Sequence, residues 1–255
     1  LGVGSQGVVG SSGGTTTTLG RIGTGYIYAD WNGQIAYTTP NMNGFSATVG
    51  VMQPWNVTQS GVLSATSAGN TDEFGFQGQA SYSWTGDFAG KVWAGFFTQE
   101  VTGMTDGAAT PAALTSNQSD TATAYEAGVS ATVMNINLVA YGYSGDGVGT
   151  TGLLRDGYAT DGESRDSDGY YAQATYVIPM GTKLGVSYGE SKLDLASGEA
   201  ASALVKENEM LTIGAYHPLT KHLNLVAEYS DVESKAHDGA SETSDIFTVG
   251  AILFF

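Results

Sequence analysis

Cysteine is absent from the 255 residues, which excludes a disulfide frame, a thiolate nucleophile and any thiolate-ligated metal. Charge is scarce as well. Asp, Glu, Lys and Arg make up 13 % of the chain, roughly half of what an ordinary soluble surface carries, so something other than charge covers the outside. Basic residues are scarcer still, 9 against 25 acids for a formal net charge of −16, which argues against nucleic acid as a partner. No apolar run approaches the roughly 18 residues of a membrane helix; the longest is the terminal stretch from Val249 to Phe255. No basic-then-apolar leader of the signal-peptide form is seen. In contrast, Gly reaches 37 residues, apolar residues 41 % and aromatics 11 %, with 14 Tyr, so the chain is apolar enough to fold. Its length suits one large β domain or one barrel.

The clearest periodic segment runs from Glu73 to Trp84. Phe74, Phe76, Ala80, Tyr82 and Trp84 alternate there with Gly75, Gln77, Gln79, Ser81 and Ser83, which on a strand puts an apolar wall on one face and small polar groups on the other. Eleven such strands are expected: Trp31 to Thr39, Gly44 to Met52, Glu73 to Trp84, Phe88 to Gln99, Ala122 to Val133, Asn135 to Ser144, Gly169 to Ile178, Lys183 to Lys192, Glu207 to His217, His222 to Glu233 and Glu242 to Phe255. The connections alternate between two kinds. Short turns lie at Pro40 to Gly44, Thr85 to Asp87, Met134-Asn135, Pro179 to Gly181 and Pro218 to Lys221, rich in residues that preset φ or tolerate positive φ. Long Gly/Ser/Thr/Asp-rich links lie near 53–72, 100–121, 145–168, 193–206 and 234–241. One rim is tight and the other ragged.

The two-strand unit recurs at a period of roughly 36 to 48 residues, which asks for a repeat architecture. A propeller blade would need four short strands per unit, whereas each unit supplies two strands of about 10 to 12 residues, the length that crosses a bilayer at a tilt. The expected fold is therefore all-β, a transmembrane antiparallel β-barrel, whose closure hydrocarbon demands of every backbone polar group. A soluble β-sandwich is the competing reading. Parity adds one expectation. Eleven antiparallel strands cannot close without a parallel pair, so an odd number of further strands is expected before residue 1, or a cryptic strand within Leu1 to Leu19.

Two stretches resemble the Gram-negative general porin family. The C-terminal Phe255, with Leu253, Ala251, Val249 and Phe247 at every second position upstream, looks like the terminal-aromatic signal of outer-membrane barrel assembly. The stretch Gly20-Arg21-Ile22-Gly23-Thr24-Gly25-Tyr26, followed by Trp31 to Pro40 and Gly44-Phe45, is similar to the porin segment in which the constriction loop leads into a strand, a Tyr-x-x-Pro turn and the next strand. The resemblance implies a 16-stranded barrel with about five strands not in this chain, a single domain over residues 1–255, and an inward-folding constriction loop over residues 1–30. It further implies a homotrimer of water-filled pores in the outer membrane, among lipid and lipopolysaccharide, with the C-terminus periplasmic and Phe255 read by the assembly machinery.

The polar face should line water, and Gln77, Gln79, Glu126, Lys183 and Glu228, with Arg21 and Asp30 from the opening segment, are the expected pore-lining residues. Fixed carboxylates in a confined passage enrich cations, so a modest cation preference is expected. The acidic stretch 145–168 reads as a hydrated surface loop. Within it Asp166 and Asp168 present oxygen ligands at alternate positions, a candidate Ca²⁺ site that lacks the remaining ligands and the closing Glu of a Ca²⁺ loop. His237 beside Asp238 has no nucleophile or second acid near it in sequence, so it reads as a solvated loop histidine. The expectation is a passive diffusion pore with no catalysis and no cofactor, an adhesive barrel and a secreted β protein being the alternatives.

Overall fold

The structure, a computed structural model, describes residues 33–55, 73–102, 119–149, 154, 156–159 and 162–255. The described residues form eleven strands: β1 (Gln34–Thr38), β2 (Phe45–Met52), β3 (Gly75–Trp84), β4 (Phe88–Thr102), β5 (Ser119–Val133), β6 (Ile136–Asp146), β7 (Asp166–Val177), β8 (Lys183–Leu193), β9 (Val205–Pro218), β10 (Leu223–Ala236) and β11 (Ser241–Leu253). They make one sheet in which every strand pairs with its sequence neighbour, all antiparallel. Among the described residues β1 and β11 are the two edges and do not pair with each other. No described helix is long and apolar enough to cross a membrane, which says nothing of strands.

The strands correspond one for one to the alternating segments, but several run two or three residues further at the ragged rim, as β4 does to Thr102 and β10 to Ala236. Apolar alternation stops where the outside ceases to be apolar. The hydrogen-bonded ladder has no such requirement and continues through Thr, Asp and Lys. At the tight rim the turns use positive φ, at Asn43 (54°), Gly44 (97°), Met134 (53°) and Gly181 (86°). Gly44 cannot be replaced without a clash, because a Cβ there would lie 2.1 Å from the Ser83 carbonyl oxygen.

The two faces of the sheet invert the soluble pattern. One face carries Ile35, Val51, Phe76, Phe96, Tyr125, Leu138, Val186, Ile213, Leu225, Phe247, Val249 and Leu253, all large and all exposed. The other carries the buried Ser187, Ser191, Asn208, Thr212, Glu228 and Ser230. Phe247 is 73 % exposed and Val249 68 %, whereas Glu228 is 2 %. An apolar surface of this extent is unstable against water and suits hydrocarbon or an apolar protein partner. From Phe247 to Phe255 the outward residues of the last strand and its tail span about 27 Å along the chain, or about 20 Å of height at the usual tilt, near the apolar band of an outer-membrane barrel. Towards the ragged rim the outward face turns polar at once: Tyr229 faces Phe247, while the next outward pair is Asp231 and Asp245.

Candidate functional site: the inward wall

Register places the inward residues in rows across the strands. One row runs Gln79, Gly95, Glu126, Tyr143, and the next, one step towards the tight rim, runs Ser81, Trp93, Gly128, Tyr141, Tyr171. Glu126 is the polar centre of this region. Its two oxygens accept from Gln79 Nε2 at 2.9 Å and from the Tyr141 hydroxyl at 2.7 Å. The Tyr141 ring stacks between Trp93, at 6.5 Å between ring centres, and Tyr171, at 5.5 Å. Trp93 lies flat across Gly128, where a Cβ would come within 2.1 Å of the indole. Lys91 holds its ammonium 5.8 Å from the centre of the Trp93 ring.

Gln77, Gln79, Glu126, Lys183 and Glu228 all stand on this inward face, as alternation implied. Gln77 donates to Gln34 Oε1 at 2.8 Å, and the Tyr216 hydroxyl donates to Glu228. Arg21 and Asp30, and with them the expected constriction loop, lie outside the described residues. The sequence alone does not single out Lys91, Trp93, Tyr141 and Tyr171. In β4 both faces carry large apolar residues, Phe88, Val92 and Phe96 outward and Trp93 and Phe97 inward, so only pairing with β5 tells which is which.

Two readings of the ragged rim are corrected. Asp166 and Asp168 are not loop residues: they open β7 on its outward side, opposite Asp146 and Ser144. They join no third carboxylate among the described residues. The acidic trio that does form, Glu190, Glu207 and Glu209, already holds lysines, with Lys235 at 2.9 Å from Glu207 and 2.7 Å from Glu209 and Lys192 against Glu190. The 145–168 stretch is also not simply a hydrated surface loop. Val148, Leu154 and Tyr158 are buried in a cluster with the inward residues Met52, Phe97, Val101, Ala122 and Ala124, so this loop folds onto the wall. Trp55 packs on the same cluster, with its ring 5.1 Å from Phe97 and its backbone amide donating to Gln99 Oε1 at 3.0 Å.

A clasp holds the loop there. Arg165, with 6 % of its side chain exposed, donates Nη1 to the Asp156 and Tyr158 carbonyls at 2.7 and 2.9 Å, and Nε to Glu199 Oε2 at 2.8 Å, with Nη2 on the second Glu199 oxygen. The guanidinium holds the Glu199 carboxyl below its ordinary value, desolvation opposes the shift, and the Ala196 amide adds to it. Burial, followed by the charges of Asp120 and Asp146, raises the Tyr158 phenol. His237 is not merely solvated: its Nε2 meets the Leu193 carbonyl at 2.9 Å and its amide donates to Leu204 at 3.0 Å, which ties the β10–β11 link to the β8–β9 link.

Charge is unevenly placed along the strands. From mid-wall to the tight rim, Asp87, Glu126 and Glu228 stand against Lys91, Lys183 and Lys221 among the described residues, a balanced set. The other described acids sit towards the ragged rim, where the bases are Arg165, Lys192, Lys206 and Lys235.

An exposed apolar belt, a polar inward wall and long links folded onto that wall define the wall of a porin-type membrane β-sheet. The chain belongs to the Gram-negative porin family, whose model matches residues 1–237. Among solved structures it is similar to the outer membrane channel DcaP of Acinetobacter baumannii, with a TM-score of 0.70 at 15 % identity over 87 % of this chain and 62 % of that one. It is also similar to the anion-selective porin from Comamonas acidovorans, with a TM-score of 0.52 at 14 % identity over 86 % of this chain and 57 % of that one. At these identities the likeness concerns the fold, and the chain spans less than two thirds of either structure. No curated protein matches the chain.

Proposed function

We propose that this chain forms most of the wall of an outer-membrane channel for passive diffusion of small hydrophilic solutes and ions, with a modest cation preference. The observation that carries the reading is the inversion of the sheet, with Phe247 and Val249 exposed outward and Glu126, Glu228 and the serine and threonine hydroxyls inward. Such a surface is stable when lipid lies on one side and water on the other. Transport then needs no reaction. The polar wall keeps the passage wet, and the loop packed on Phe97 and Ala124 narrows it from the ragged rim.

The cation preference arises at the ragged mouth rather than along the balanced lower wall, because acids crowd that rim and a confined mouth focuses their field. In lipid the edges that β1 and β11 present among the described residues require partners, which a closed barrel would provide. By the family pattern the working unit is a homotrimer among lipid and lipopolysaccharide, the tight turns and C-terminus face the periplasm, and Phe255 with Leu253, Ala251, Val249 and Phe247 guides assembly. Planar-bilayer recording of the complete protein tests the reading. Stable ohmic steps with a cation-side reversal potential in a KCl gradient are expected. Absence of conductance overturns the channel, and an anion-side potential overturns the preference.

A further inference from the structure

Diffusion alone does not use one feature of the inward wall near the tight rim. A cavity of about 500 Å³ opens there, walled in part by Thr132, Asn137, Gln173, Thr175, Lys183 and Tyr216. Lys183 is exposed, and its ammonium has no ion-pair or hydrogen-bond partner among the described residues. No acid is among the lining residues. Glu228, on β10 beyond Tyr216, accepts the Tyr216 hydroxyl.

The neutral groups are arranged across the strands. Asn137 is opposite Thr132 on one side and Thr175 on the other, so the three make a transverse row that spans about 10 Å at the usual strand spacing. Asn137 Nδ2 donates to Thr132 Oγ1 at 2.9 Å, which leaves the Thr132 hydroxyl proton to point elsewhere. Gln173 is one step towards the ragged rim from Thr175 on the same face, and its amide is unengaged among the described residues. Lys183 pairs with Val177, one step towards the tight rim. A lone ammonium would attract any anion. An ammonium at the end of a row of hydroxyl and amide groups fits an anion that is charged at one end and hydroxylated along its length.

On these grounds we propose that this cavity is a subsite for sugar acids, polyhydroxy monocarboxylates whose carboxylate meets Lys183 and whose hydroxyls meet Gln173, Thr175 and Thr132. The inference rests on the channel reading. It is compatible with a cation-biased mouth, because the subsite sits at the opposite end of the wall from the acidic rim. Its affinity must be low, since a transport subsite has to release what it captures.

The test is single-channel recording in chloride with added potassium gluconate, with potassium acetate and the neutral polyol sorbitol as comparisons. In the wild type, gluconate should interrupt the ionic current more than acetate does, and sorbitol should not. Lys183→Gln should weaken the gluconate block about tenfold, the loss expected for one charge-assisted contact, and Lys183→Arg should retain most of it. Lys221→Gln, a tight-rim lysine outside the cavity, should leave the block unchanged. Equal block in wild type and Lys183→Gln overturns the proposal, as does an equal loss in Lys221→Gln, which would reduce the effect to net charge. Failure of the subsite leaves ohmic conductance intact, whereas failure of the channel reading abolishes it.

Discussion

Replacing Glu199 by Gln removes the charge that answers a buried guanidinium while keeping nearly the same shape. Arg165 would keep its contacts to the Asp156 and Tyr158 carbonyls and one oxygen of the new amide, but lose the bidentate carboxylate. Breaking one partner of a buried pair costs about 3 to 5 kcal/mol. Here the Glu199 side chain is 18 % exposed and the retained carbonyl contacts offset part of the loss, so about 2 kcal/mol is expected, screened by solvent. That is about a 30-fold rise in the open population of the β6–β7 loop. Amide hydrogen exchange reads it directly. The amides of Gly147, Ala159 and Arg165, which donate to Arg165, Glu163 and Gly157, should lose protection by that factor while the β10 ladder keeps its own. Acid should act in the same direction. Because the Glu199 carboxyl is held below its ordinary value near 4.5, the contribution of the clasp is complete above that value and is lost as pH falls through the lowered one. Unchanged loop protection in Glu199→Gln, or equal loss throughout the sheet, would refute the clasp.

Two further substitutions test the wall itself. Gly128→Ala puts a Cβ against the Trp93 ring and should cost about 1 to 3 kcal/mol by overpacking, seen as a lower melting temperature together with reduced near-ultraviolet dichroism from the Trp93–Tyr141 stack; a neutral result would mean the indole does not cover Gly128. Val249→Arg on the outward face should destabilise the protein by about 2 kcal/mol in vesicles, whereas Thr248→Arg, inward and opposite Glu228, should be tolerated; equal costs by urea unfolding in lipid would overturn the assignment of faces.

How far the fold was readable follows from what each signal depends on. Period-two alternation depends only on which medium touches each face, so Glu73 to Trp84 and the segment from Phe247 onward declared their faces without any partner. The turns were equally plain, because positive φ at Asn43, Gly44 and Gly181 restricts the residue types. Strand ends at the ragged rim were not plain. There the outside becomes water on both faces, the apolar contrast disappears, and the extension of β7 back to Asp166 rests on pairing with β6 and β8, which no local pattern encodes.

The wall shows the same divide between local and paired information. Gln77, Gln79 and Glu126 were legible because their strand neighbours are apolar, whereas Trp93 and Phe97 sit on a strand that is apolar on both sides. The inward loop was hidden by its own composition: Asp146, Asp156, Asp161, Glu163 and Asp166 read as a hydrated stretch, and they outnumber the buried Val148, Leu154 and Tyr158 that decide where it goes. A residual signal existed in Arg165, an uncommon base among acids, which is retained in the interior by bonds to two loop carbonyls and one remote carboxylate. Total charge is likewise a coarser guide than its placement. A net −16 says that the molecule is acidic, but the register shows Lys91 and Lys183 sharing the lower wall with Glu126 and Glu228. In the proposed channel, a solute crossing from the ragged rim would leave the field of an acidic mouth and enter a balanced polar wall. Its passage depends on the order in which it meets those two regions more than on the sum of their charges.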